Sequence, residues 1–461
     1  MKKILMISAA AAALLIFMLS LTSCEGGTYG LRFEAYEDHA AVVKYVGESA
    51  NVTVEAEYKG LPVTEIADKA FYDEFIETIT LPDTIRRIGN EAFRGSTDLK
   101  TIEIQPGVTE IGDSAFYGCK SLETVTIPEG VTSIGSNAFA ECTALTSVSL
   151  PATLTSIGER AFYNCTALTS ATLPDGVTVI PGGLFWGCSA LKTVKTGDGV
   201  VEIGGSAFLD CKELEEFEIP SAVGKIGGSA FTNCQSIKSL TVPSGVTVIE
   251  DLTFFKCSSM QTCNLPNTIT KIGKEAFSVC SALKAINLTT TLTEIGESAF
   301  SDCTSLESVV IPETVTVLPQ KLFANCKSLK TVKLHDGITF IGVLVFSDCK
   351  SLEEIVIPKL ITEVPMSLCV GCSSLSSAVI HENVTVIPDG AFAECTSLKV
   401  KVWAGSYAEY WAKDAGKTIE IVGQAENIYT PPQIPEDDWN DWENGEDDGD
   451  WEDRVPIGGV E

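Results

Sequence analysis

The sequence predicts a mostly β, curved solenoid of about fifteen 23-residue coils, with parallel strands linked by short helical or 3₁₀ turns. Three observations lead there. A marker phenylalanine recurs at Phe93, Phe116, Phe139 and onward to Phe346 at intervals of 23 residues, and returns at Phe392. Cys369 fills the one missing slot, and Phe71 stands 22 residues ahead of Phe93, which makes fifteen slots. Each coil also holds two extended pieces. Leu122-Glu-Thr-Val125-Thr-Ile127 alternates apolar and polar as a strand does. Pro128 ends it and keeps the preceding residue extended. Val131-Thr-Ser-Ile134 is the second piece, and the tight turn through Ala138 and Phe139 completes the coil. Finally, no coil can bury its Ile, Ala, Phe, Cys, Leu and Val alone. Coils stacked at about 4.8 Å can, and fifteen of them make a rod roughly 70 Å long.

The ends depart from the repeat. Residues 1–23 read as a signal segment, with Lys2 and Lys3 ahead of about eighteen apolar residues. Leu21-Thr22-Ser23-Cys24 resembles a bacterial lipobox, which implies cleavage before Cys24 and lipid on its sulfur. Residues 24–58 carry three strand-like runs expected to cover the first coil. The solenoid is expected over 59–400. A cap over 401–423 combines a helix, opened by Ser406 with Glu409 and closed by Gly416, with a last strand, TIEIV. Residues 424–461 form an acidic tail bearing Trp439, Trp442 and Trp451, with the composition of disorder.

The run L-x-x-V-x-I followed by Pro, with I-G-x-x-A-F-x-x-C-x-x-L, resembles the BspA type of the leucine-rich repeat family. The resemblance implies a bacterial surface protein, and adhesion to a protein ligand. A net charge of −30 argues against nucleic acid and anionic lipid as partners. Contact with the membrane is expected only through lipid at Cys24, and the chain reads as a monomer. The competing reading is a spacer of the cell envelope that binds nothing.

Enzyme chemistry finds no support. Thirteen of the sixteen cysteines share one slot, three residues after the marker, from Cys119 to Cys395. An odd number of parallel side chains reads as a ladder of buried free thiols. A serine there is expected to bury a poorly satisfied hydroxyl and cost about 1–3 kcal/mol, more than an alanine. A linear ladder does not converge on a metal. His335 and His381 lie two coils apart, and Cys369-Val-Gly-Cys372 lacks the helix setting of a redox motif. No cofactor and no metal are expected. The alternating charges of Lys192, Glu215 and Lys238 read as structural pairs between strands.

The slot after the marker is uneven. Tyr117, Tyr163, Trp186, Leu209 and Phe255 stand in the N-terminal half, whereas Ser278, Ser301, Ala324 and Ser347 stand beyond. Packing alone would favour one size throughout. These five residues are therefore the candidate ligand-binding stripe, centred on Trp186, because Trp and Tyr bury large area at low entropy cost. The alternative is half-burial against neighbouring coils.

Overall fold

A computed structural model describes residues 28–431. Cys24, the apolar segment before it and the three tail tryptophans lie outside the described residues. Among those described, no helix is long and apolar enough to cross a membrane.

Each coil contributes to three parallel ladders. The first runs through the L-x-x-V-x-I piece. Thr124–Thr126 pairs in register with Ser147–Ser149 of the next coil, and its inward residue Val125 is buried. The second runs through the I-G piece, where Ser133–Ile134 pairs with Ser156–Ile157. The third lies at the marker. The expected helical turn does make i→i+3 bonds, as from the Ala140 amide to the Asn137 carbonyl at 3.1 Å. It does not continue as a helix, because the residues two before and two after the marker are left-handed, with φ of 54° at Asn137 and 59° at Glu141. Those two inversions turn alternate amides toward the following coil. Asn137, Phe139 and Glu141 donate to the carbonyls of Glu159, Ala161 and Tyr163 at 2.7–2.9 Å. The turn is thus a ladder of its own, and the coil's backbone groups are satisfied between coils as well as within them.

The core is equally periodic. Rings from Phe71 to Phe346 form an unbroken stack with centroids 5.1–5.9 Å apart and interplanar angles of 5–28°. Tyr45 extends it, 5.6 Å from Phe71. This tyrosine belongs to the cap and supplies a marker ring that the spacing hides, since it stands 26 residues ahead. The thirteen slot cysteines are free and buried. Each donates its thiol to the marker carbonyl of the coil before it, at 3.0–3.2 Å, as from Cys119 to Phe93 and Cys211 to Phe185. Ser96 occupies the same slot in the coil of Phe93, and its hydroxyl donates to the Phe71 carbonyl at 2.8 Å. The expectation that a serine here is poorly satisfied is therefore wrong: the slot supplies an acceptor.

A turn of chain closes each end. Leu31–Ala35 pairs antiparallel with Ala40–Tyr45, which in turn pairs parallel with Leu61–Ile66. At the other end Lys399–Ala404 pairs with Thr418–Gln424 across the helix Tyr407–Asp414. Ser406 accepts from the Glu409 amide at 3.2 Å, Glu409 accepts from the Gly405 amide at 2.6 Å, and Gly416 is left-handed at φ 61°. The alternating charges expected to tie strands together make an ion pair at Lys100 and Glu77 (2.7 Å), but Lys192 reaches Glu213 and not Glu215.

Candidate functional site

The five stripe residues hang from the turn ladder, on the side of each coil away from both strands. Tyr117, Tyr163, Trp186, Leu209 and Phe255 are all half-buried. The reason is the left-handed residue that follows each one: it returns the chain to the core, so the slot looks along the surface. Small residues in the same slot sink further, and Ser278, Ser301 and Ser347 are buried. Tyr163 and Trp186, on successive coils, meet edge to face at 5.3 Å and 75°.

Cations cover several of the aromatic faces. Arg160 lies 5.3 Å from the Trp186 ring, Arg94 lies 4.6 Å from the Tyr117 ring and Lys256 lies 5.0 Å from the Phe255 ring. Tyr117 also donates to Glu141 at 2.9 Å; burial first, and this bond second, raise its pKa. The stripe is thus amphipathic, with aromatic edges between guanidinium and ammonium groups. Such contacts are each worth about 0.5–1 kcal/mol at exposed sites.

Among the described residues, titratable groups do not gather into a reacting centre. Burial pushes the thiols of Cys142 and Cys263 up to about 12, so both stay protonated at neutral pH. Cys369 is raised too, first by burial and then by Cys372 beside it. Among the described residues no three His, Cys, Asp or Glu side chains converge as metal ligands. His335 faces the Val315 carbonyl, and His381 packs on Trp403.

Sequence reasoning missed a second apolar surface. Val317 and Phe340 are in register on the outer face of the I-G ladder, 47% and 55% exposed; Val343 is exposed just past Phe340, and Met366 is exposed in the slot of Val343 one coil on. The signal was present, since the same slot holds Arg87, Glu110, Glu202, Lys225 and Lys271 in other coils.

It also missed where the ladders stop. The glycine of I-G comes so close to the coil before it that a Cβ at Gly135 would stand 2.5 Å from the Asp113 amide nitrogen, and one at Gly158 2.3 Å from that of Ser136. Pro181, Glu250, Pro319 and Pro365 replace this glycine, and the I-G ladder is interrupted ahead of each. At Pro388 a single bridge, Glu363 to Val386, remains. A Cβ forces the coils apart there, and proline also removes the amide that donates.

The repeat geometry agrees with the comparisons. A family model described as BspA type leucine rich repeat region matches residues 64–192, 201–330 and 270–399. The chain belongs to this family. Its members are repeat scaffolds and not enzymes. Among solved structures, a leucine-rich repeat protein from Bacteroides ovatus is 28% identical with a TM-score of 0.66, covering 88% of this chain and all of its own. A leucine rich cell surface protein from Faecalibacterium prausnitzii is 26% identical, with a TM-score of 0.47, over 85% of this chain and 98% of that one. The leucine rich repeat protein of T. pallidum is 34% identical over 41% of this chain and 89% of its own, with a TM-score of 0.39. No curated protein matches.

Proposed function

We propose that this BspA-type chain is a lipid-anchored bacterial surface protein that binds a protein ligand along the stripe from Tyr117 to Phe255. One observation carries the reading. Tyr163, Trp186 and Arg160 form an edge-to-face and cation–π cluster across neighbouring coils, in a slot that is filled by small buried residues farther along. Packing does not require an indole there, whereas Trp, Tyr and Arg are the residues that dominate protein interfaces. The lipobox-like Leu21-Thr22-Ser23-Cys24 supports the anchor.

The test begins with capture from host-surface and matrix extracts by the mature chain, followed by titration of the identified partner. Trp186→Ala is expected to weaken binding by about 2 kcal/mol or more, with a smaller loss at Tyr163 and little at Ser301. A fall in Tm that matches the fall in affinity would assign Trp186 to packing and overturn the reading. The anchor is tested separately: Cys24→Ser should leave the protein unprocessed and without lipid.

A further inference from the structure

The N-terminal end of the solenoid carries aromatic surface that the repeat does not explain. Six aromatic side chains stand exposed among the described residues, and four of them, Tyr29, Tyr36, Tyr72 and Phe75, fall within residues 29–75. Phe75 is 76% exposed. Its slot follows from the next bond between coils. The Lys100 amide donates to the Glu77 carbonyl at 3.0 Å, so Ile76 matches Leu99 and Phe75 matches Asp98. In later coils this slot holds Ser121, Ala144, Glu213 or Ser236, and no other aromatic residue.

Three more apolar side chains gather beside it. The Tyr45 amide donates to the Ala70 carbonyl at 2.7 Å, just as the Phe71 amide donates to Ala92 at 2.7 Å. Tyr45 therefore takes the marker slot of the cap, and Val46 stands in the slot of Tyr72, one coil away. Both are exposed. The Val46 amide donates to the Gly30 carbonyl at 2.9 Å, and a Cβ on Gly47 would stand 2.5 Å from the Tyr29 carbonyl oxygen. Tyr29, also 76% exposed, thus lies over the loop 46–50. The Glu77 amide donates to the Ala50 carbonyl at 2.6 Å, which brings Phe75 to the far end of the same loop.

We propose that Tyr29, Val46, Tyr72 and Phe75 form a membrane-contact ring that settles into a zwitterionic phospholipid headgroup layer. The proposal rests on the lipid anchor at Cys24 read above. The length of the tether names the occupant. Thr28 is tied to the cap by its amide bond to the Thr53 carbonyl at 3.2 Å. The four residues from Cys24 to Thr28 span at most ~14 Å, and a headgroup layer is about 5–8 Å deep. An anchored Cys24 therefore holds this end against the bilayer surface. Aromatic rings with a polar tip suit that layer, and a short tether makes even weak insertion effective. The rim sets the headgroup. Glu48 and Asp73 are exposed and Glu74 is half-buried, against Lys44 alone, so an anionic surface is repelled.

The test couples Cys24 of the mature full chain to a maleimide-bearing lipid in phosphatidylcholine vesicles. The fifteen other cysteines are buried, so coupling is selective. Because the anchor is supplied chemically, failure of the surface is separate from failure of lipidation in the cell, which Cys24→Ser tests. Hydrogen exchange over residues 46–50 and 72–76 is expected to slow about threefold or more relative to the uncoupled chain, with residues 418–424 at the far end unchanged. Tyr29→Ser, Val46→Ser, Tyr72→Ser and Phe75→Ser together should remove the slowing while the chain stays coupled. In a second measurement, Phe75→Trp should add emission that dibrominated phosphatidylcholine quenches. Replacing half of the phosphatidylcholine with phosphatidylglycerol should weaken both signals. Equal exchange in the parent and the serine variant, or no added quenching in Phe75→Trp, would overturn the proposal. Equal signals on phosphatidylglycerol would overturn its choice of headgroup. If the fourfold variant fails to fold, the exchange of the parent and the Phe75→Trp quenching still decide.

Discussion

Replacing one ladder cysteine tests the account of the core directly. Cys211 is fully buried and its sulfur lies 3.1 Å from the Phe185 carbonyl oxygen. That oxygen also accepts from the Cys188 amide at 3.0 Å, so removal of the thiol does not orphan it. Cys211→Ala then loses one buried hydrogen bond, about 0.5–1.5 kcal/mol, and leaves a gap of roughly methyl size, about 1 kcal/mol more. Cys211→Ser keeps a donor in place, as Ser96 does at 2.8 Å. It gives up only the larger, more apolar sulfur, so about 0.5–1.5 kcal/mol is expected. Serine should thus cost less than alanine by roughly 1 kcal/mol. Urea unfolding measures the difference. Because coils unfold as neighbours in a one-dimensional array, hydrogen exchange over residues 185–211 should accompany it. A serine variant less stable than the alanine variant would refute the thiol–carbonyl ladder.

Three further outcomes are expected. Val279 is a β-branched residue held at φ 62°, in a slot that holds Asn164, Asn233 and Asn325 in other coils; Val279→Asn should stabilise by about 1 kcal/mol in the same unfolding assay. Gly135→Ala would place its Cβ 2.5 Å from the Asp113 nitrogen, so a loss of about 2 kcal/mol or more is expected, with faster amide exchange at Gly135, whose amide bonds the Ile111 carbonyl at 2.8 Å. The last concerns pH. Cys142 and Cys263 rise from 9.0 to about 12 on folding, so the stability from their burial is whole below pH 9 and drains as pH climbs from 9 toward 12. Each adds a slope of about 1.4 kcal/mol per pH unit in that window. A urea midpoint that stays flat through it would contradict the burial of neutral thiols.

The sequence by itself determined the repeat. The 23-residue spacing, the two extended pieces, the inward phenylalanine, the cysteine slot and the helix–strand cap are local patterns, and one coil's chemistry read fifteen times leaves little choice of stack. The replacement of glycine by Pro181, Glu250, Pro319 and Pro365 was equally visible, but its meaning was not. Only the close approach of Gly135 to Asp113 reveals what a Cβ does there. Tertiary structure decided everything that joins residue i to its counterpart a coil away. It turned the expected helical segment into a third ladder through left-handed residues such as Asn137 and Glu141. It gave each thiol a carbonyl to bond, and set the stripe at half-burial beneath Arg94, Arg160 and Lys256. It also interrupted both strand ladders between the coils of Phe217 and Leu240. Periodicity specifies what each coil contains. The spacing between coils depends on which side chains meet across the stack, and those contacts lie about 23 positions apart in the chain.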